Sequence, residues 1–150
     1  MAKYGPTFHR TSTETFEAQV QGIVDNTEAK ILAIFREGVQ RTVDIAQTPT
    51  AKGGRMHVDT GFLRASGQGS LNGMPTGPTR NESGAPVTTD DASVVLALAN
   101  MKIGDTFFFG WTANYAKYRE YQDGFLRLAA QQWPQTIEAV AAEARKRNGS

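Results

Sequence analysis

From Phe16 to Ile45 apolar residues return at helical spacing: Phe16, Val20, Ile23 and Val24, then Ile31, Ile34, Phe35, Val39 and Ile45. A stripe of that length predicts one helix over residues 12–46. Thr11 and Glu14 stand before it at capping-box spacing, with the hydroxyl placed to accept a backbone N–H and the carboxylate placed to reach back. Thr48-Pro49-Thr50 ends it, because the residue before a proline is pushed out of the α region. At about 1.5 Å per residue such a helix is about 50 Å long. That is long for a chain of 150 residues. The helix either breaks near Asp25-Asn26-Thr27 or reaches beyond its own core.

The length suits a single domain over residues 1–150 with one modest core. At 39% hydrophobic and 21% charged, the chain is too apolar for wholesale disorder. Its 16 basic and 15 acidic residues leave a net charge of +1, and both signs are spread evenly. A dedicated nucleic-acid binder usually concentrates positive charge on one face or stripe. There is no cysteine, which excludes disulfides and thiolate metal sites. No run of about 18 apolar residues suggests a membrane span. The start Met1-Ala2-Lys3-Tyr4-Gly5-Pro6 lacks the apolar core of a signal peptide, so production in the cytoplasm is expected.

Residues 1–11 read as a loose arm and residues 48–58, with Gly53-Gly54, as a mobile loop. Asp59 to Ser66 reads as one or two helical turns, Asp59 capping its free amides while Phe62 and Leu63 dock on the core. Residues 67–91 are rich in Gly, Ser, Thr, Pro and Asn. They predict an extended polar loop or hairpin, part of it ordering only against a partner. Within 93–111 two strands are expected, Ser93–Ala99 and Thr106–Trp111, paired antiparallel through the turn residues Ile103-Gly104-Asp105. Residues 115–147 read as helical. Tyr115, Tyr118 and Tyr121 share one helical face, Gly124 punctuates, and Trp133-Pro134 restarts the helix. Arg145-Lys146-Arg147 complement the dipole at its C-terminal end. The expected architecture is therefore α+β: a long N-terminal helix and a C-terminal helix packed on a small, mainly antiparallel sheet. Phe107, Phe109, Trp111, Leu63 and Phe125 are the expected core carriers. Aromatic residues on both faces of a strand call either for helices of the same chain or for a neighbouring subunit.

A search for chemistry finds little. His9 and His57, the only histidines, lack the i, i+4 partners of a metal helix. No G-x-S-x-G nucleophile motif occurs. Gly67-Gln68-Gly69-Ser70 and Lys52-Gly53-Gly54-Arg55 fail the phosphate-loop patterns. Asp90-Asp91 offers too few oxygen ligands for calcium or magnesium. Glu120, between tyrosines, fits either a general acid or an ion pair with Arg119, with Arg127 or with a neighbouring subunit. No catalytic residue, cofactor or metal is expected.

Three ordered elements carry a resemblance. Val58-Asp59-Thr60-Gly61-Phe62-Leu63-Arg64-Ala65-Ser66 resembles the V-x-T-G-x-L-R-x-S element of the phage tail-completion family, which joins head to tail. Asn114-Tyr115-Ala116-Lys117-Tyr118-Arg119-Glu120-Tyr121 resembles its Y-A-x-Y-x-E element. Gly124-Phe125-Leu126-Arg127-Leu128-Ala129 resembles its P-F-L-x-P-A element, with both prolines replaced. The motif positions are thus Thr60, Gly61, Leu63, Arg64, Tyr115, Ala116, Tyr118, Glu120, Phe125 and Leu126. The resemblance covers roughly residues 12–147. It implies a structural virion protein at the head–tail junction of a long-tailed phage, made in the host cytoplasm and not an enzyme. It implies a ring, with a hexamer favoured, that meets the head-side connector or stopper and the tail terminator or tail tube. Genome DNA would pass through without specific binding, and no membrane is involved. A tail terminator or head-side stopper is the neighbouring alternative. A small hydrolase using Glu120 with Asp90 or Asp91, and a DNA-binding module using Arg145, Lys146 and Arg147, are the alternatives from other classes.

Overall fold

A computed structural model describes residues 12–148, with side chains from residue 16. The expected capping box at Thr11, the arm over 1–11 with His9, and the end of the chain past Asn148 lie outside the described residues. The fold is α+β, with a long N-terminal helix, a C-terminal helix and a small antiparallel sheet. The chain divides into two compact units, one through Ala33 and one from Ile34 onward.

Helix α1 runs Ser12–Gln47, so the Asp25-Asn26-Thr27 segment does not break it. In the first unit its apolar residues Phe16, Val20, Ile23, Val24 and Ile31 are all exposed. A hydrogen bond from Gln21 to Asp25, one turn apart, supports the exposed side. In the second unit Val39, Val43 and Ala46 are buried, which is the i, i+4, i+7 signature of a packed helical face.

After α1 come a 3-10 turn (Thr50–Lys52), α2 (Phe62–Ala65) and strand β1 (Gly67–Ser70). Helix α3 (Ala92–Asn100), strand β2 (Phe108–Trp111), α4 (Ala116–Asp123), α5 (Phe125–Gln131) and α6 (Trp133–Arg147) follow. Strands β1 and β2 pair antiparallel, with Gly67 opposite Trp111 and Ser70 opposite Phe108. The core is built from Met56, Phe62, Leu63, Ala113 and Phe125, with Trp111 packed on it. Trp111 sits edge-on to Phe125 and to Phe109, with ring centroids 4.9 and 5.0 Å apart. Of the five expected core carriers, Leu63 and Phe125 are buried, and Phe107, Phe109 and Trp111 are partly buried.

Two expectations need correction. The segment 93–99 is not a strand but most of α3. A short unbroken apolar run does not distinguish a strand from a buried helix. Here burial of Val94, Ala97 and Leu98 follows the helical i, i+3, i+4 order. The Asp90 carboxylate accepts the Ala92 amide at 3.0 Å and anchors the helix start. Arg36 donates to the Met101 carbonyl at 2.7 Å and satisfies a group at its far end. The strand that pairs with β2 is instead Gly67–Ser70, which has no β-forming side chains. Its glycines are required by close packing. A Cβ at Gly67 would stand 2.8 Å from the Phe109 ring, and one at Gly69 would stand 2.8 Å from Phe107 and 3.2 Å from the Val94 backbone. The 67–91 segment is also tied to its own chain rather than waiting for a partner. Val87 N–H donates to Thr60 O at 2.8 Å, and Asn114 N–H to Thr79 O at 2.8 Å.

The C-terminal helix behaves as expected at both ends, with Pro134 in its first turn and Arg145, Lys146 and Arg147 in its last. It packs on the second half of α1. A Cβ at Gly38 would stand 2.5 Å from Ile137, and Phe35 meets Trp133 edge-on at 5.6 Å. Arg41 bridges Glu37 and Glu143, the latter at 2.6 Å. The Arg41 hydrogen bond holds the Glu143 carboxyl below its ordinary range, and the Arg41 guanidinium is raised in turn. A carboxylate with a lowered pKa stabilises above its unfolded-state pKa and loses that contribution as pH falls through the folded value. Glu143→Gln is therefore expected to flatten the fall in melting temperature on acidification below about pH 5, where free carboxylates begin to titrate. Equal slopes for the two proteins in acid thermal melts would show that this bridge contributes nothing.

Candidate functional site

The residues of the three sequence elements gather around α2, α4 and the start of α5. Gly61, the N-cap of α2, has φ +89°, and a Cβ there would stand 2.6 Å from the Val87 carbonyl oxygen. Only glycine meets both demands without strain. Thr60 on one side accepts the Phe62 amide at 3.2 Å through its hydroxyl, so it is Thr60, and not Asp59, that serves the free amides of this turn. On the other side Leu63 is 3% exposed and enters the core.

Arg64 and Gln47 bind each other reciprocally. The Arg64 Nε donates to the Gln47 carbonyl at 2.7 Å, and the Gln47 Nε2 donates to the Arg64 carbonyl at 2.9 Å. The remaining Gln47 oxygen accepts the Trp111 indole N–H at 2.9 Å. Gln47 is buried, and this arrangement gives both the nitrogen and the oxygen of its side-chain amide a partner. Ser66 closes the element. It is 4% exposed, donates to Leu63 O at 2.7 Å and accepts the Ala113 amide at 3.2 Å, while its carbonyl accepts Thr112 N–H at 3.2 Å.

The second and third elements form the α4–α5 joint. Gly124 lies in the left-handed region at φ +71° and ends α4 while starting α5. The Glu120 carboxylate reaches across it. Oε1 accepts the Leu126 amide at 2.7 Å and Oε2 the Arg127 amide at 3.1 Å. Of the two arginines considered from sequence, Arg127 donates to the Glu120 carbonyl at 3.1 Å and to Oε2 at 3.5 Å. Arg119 instead grips Asp123, its closest contact being 2.7 Å, and Asp123 also lies 3.6 Å from the His57 Nδ1. Phe125 is 1% exposed and inserts below the joint. Tyr118 and Leu126 are exposed, and Ala116 is packed against the core.

Between the first two elements lies an open cleft of about 350 Å³, lined by His57, Val58, Asp59, Gly61, Arg64 and Tyr115, among others. Burial pushes the Tyr115 phenol above its ordinary value, with the Asp59 carboxylate adding to this and the Leu63 backbone opposing it. Asp90 and Asp91 line a separate hollow with Asp44 and Arg64. The carboxylates considered for hydrolysis are thus apart, with both Glu120 oxygens already accepting backbone amides. No group of three or more His, Asp or Glu side chains forms a potential metal site among the described residues. No helix among them is long and apolar enough to cross a membrane. Sequence reasoning missed Gln47, because a single buried polar residue carries no periodic signal, and it had Ser66 only as a motif letter without a role. No protein-family model, curated protein or solved structure matches the chain.

Two substitutions test these roles. Gly61→Ala is expected to cost about 1–3 kcal/mol, from a side chain forced into positive φ against a fixed carbonyl. Urea unfolding reads this, and an unchanged midpoint would contradict the geometry. Glu120→Ala is expected to cost about 1–2 kcal/mol as a lost cap, with Glu120→Gln less costly because its amide oxygen still accepts one N–H. If both variants unfold like the parent, the carboxylate is not serving as that cap.

Proposed function

We propose that this protein is a structural component of a long-tailed phage virion, a tail-completion or neck subunit. In this reading it joins the head connector to the tail tube as a ring around the DNA channel, with six-fold symmetry favoured. One observation carries the reading. The elements at 58–66 and 114–121, about fifty residues apart, line one cleft, and most motif positions make a fold-building contact. Thr60, Arg64, Ser66 and Glu120 direct polar atoms at backbone groups. A catalytic constellation needs polar groups free to meet a substrate. The motif letters thus have fold-building roles in this chain, which supports reading the motif as structural rather than catalytic.

Balanced charge suits the same role. Duplex DNA must slide through a neck, and a dense cationic lining would hold its phosphates. With 16 basic and 15 acidic residues the chain is not biased toward such a lining.

Cryo-electron microscopy of the particle that contains this chain, averaged with six-fold symmetry at the neck, tests the proposal. The expected result is a ring of this fold between connector and tail tube. Density one layer higher or lower would assign the stopper or terminator position. Density at the tail tip, or purified particles that lack the chain by mass spectrometry, would overturn the proposal.

A further inference from the structure

The N-terminal part of α1 carries five large apolar side chains, Phe16, Val20, Ile23, Val24 and Ile31, that are 41% to 66% exposed. Isolated exposed apolar residues need no explanation, but five along one helical segment form a patch. Patches of this kind on soluble proteins mark interaction sites. The C-terminal unit separately presents an apolar groove of about 180 Å³. Its walls include Val39 and Val43 of α1, Phe109 and Trp111 of β2, Leu126 of α5 and Trp133 of α6.

We infer that the stripe Phe16–Ile31 of one copy docks into this groove of a second copy. The inference rests on the ring reading above and names the contact that would close such a ring. Charge selects this occupant over the other apolar choice, a second stripe. Residues 12–33 hold Glu14, Glu17, Asp25 and Glu28 against Lys30 alone, a net charge of −3. Two stripes packed together would bring these carboxylates near each other, and like charges across an interface are unfavourable. Residues 34–150 hold 13 basic against 11 acidic residues, so the unit carrying the groove has the opposite net sign, and no charged side chain lines the groove itself. The contact joins two different patches. That is the heterologous arrangement a closed ring requires, whereas a stripe-to-stripe contact would stop at a dimer. Aromatic side chains on the groove wall, Phe109, Trp111 and Trp133, are of the types enriched at protein interfaces.

The absence of cysteine gives a clean test, since only introduced thiols react. Full-length chains carrying Ile23→Cys alone and chains carrying Leu126→Cys alone, tagged to differ in mass, are mixed and treated with a short bismaleimide. The expected product is the mixed cross-linked pair, dominating over either like pair. In parallel, sedimentation velocity of Ile23→Glu, at a position already 66% exposed in the single chain, should show association weakened by about tenfold or more, as for one interface anchor lost. Its circular dichroism should match the parent. A predominance of Ile23–Ile23 pairs would overturn the inference in favour of stripe pairing. A parent chain that stays monomeric up to its solubility limit and gives no cross-link would also overturn it. The two proposals fail separately. Mixed pairs together with density away from the neck would leave the docking and remove the neck assignment. A neck ring without mixed pairs would do the reverse.

Discussion

The C-terminal unit is organised by one buried side chain, Gln47. It sits at the last position of α1, where helical carbonyls lose their intrahelical partners. Its own carbonyl is taken by Arg64, its amide nitrogen by the Arg64 carbonyl, and its amide oxygen by Trp111. One residue thus fixes the end of a 36-residue helix, a four-residue helix and a strand relative to each other. The two neutral bonds of its side-chain amide contribute about 1 kcal/mol each, but a buried group left without its partner costs about 1–3 kcal/mol. Loss of the Gln47 amide would strand both the indole N–H and the Arg64 carbonyl. The fold depends on this junction more through that asymmetry than through the modest strength of each bond.

Close packing around the junction explains the glycines beside it. A Cβ at Gly67 would stand 2.7 Å from the Gln47 amide nitrogen and 3.0 Å from the Trp111 indole nitrogen. The chain must pass there without a side chain, and the same residue then opens β1. A strand beginning Gly-Gln-Gly-Ser has poor β propensity, and it forms because β2, α1 and α3 already surround it. The two strands alone would be marginal. Helix α3 packed on β1, and the aromatic side chains of Phe107, Phe109 and Trp111 over its glycines, supply the burial that the strand's own sequence lacks.

This accounts for what could and could not be read before the fold was known. Elements that carry their own signal were legible. The long apolar stripe predicted a helix over 12–46, and the helix runs Ser12–Gln47. Trp133-Pro134 and the basic triplet marked both ends of the last helix. Gly124 marked the break between α4 and α5. Elements set by their surroundings were not legible. Residues 93–99 read as a strand because Val94, Val95 and Leu96 favour one. Tertiary burial of Val94, Ala97 and Leu98 made the segment a helix instead. The true partner strand was hidden in a polar loop. In the candidate site, the positions of Thr60, Gly61, Leu63, Arg64, Glu120 and Phe125 were legible as a motif. Their reasons were not, since Gly61 answers to Val87 and Glu120 to two amides of the next helix.

The motif residues divide into two kinds, and the division bears on what the protein can do. Gly61, Leu63, Arg64, Glu120 and Phe125 spend their contacts within the chain. Tyr118, Tyr121 and Leu126, in or beside the same elements, are 60%, 77% and 42% exposed. A joint whose inward positions are fully engaged, yet whose outward positions are aromatic or aliphatic, is rigid and sticky at once. Rigidity lowers the entropy lost on association, since the exposed side chains are presented by a scaffold that need not reorganise. Tyrosines in particular give large contact area with few rotatable bonds. The same short sequence elements that hold the unit together thus also display aromatic and aliphatic surface.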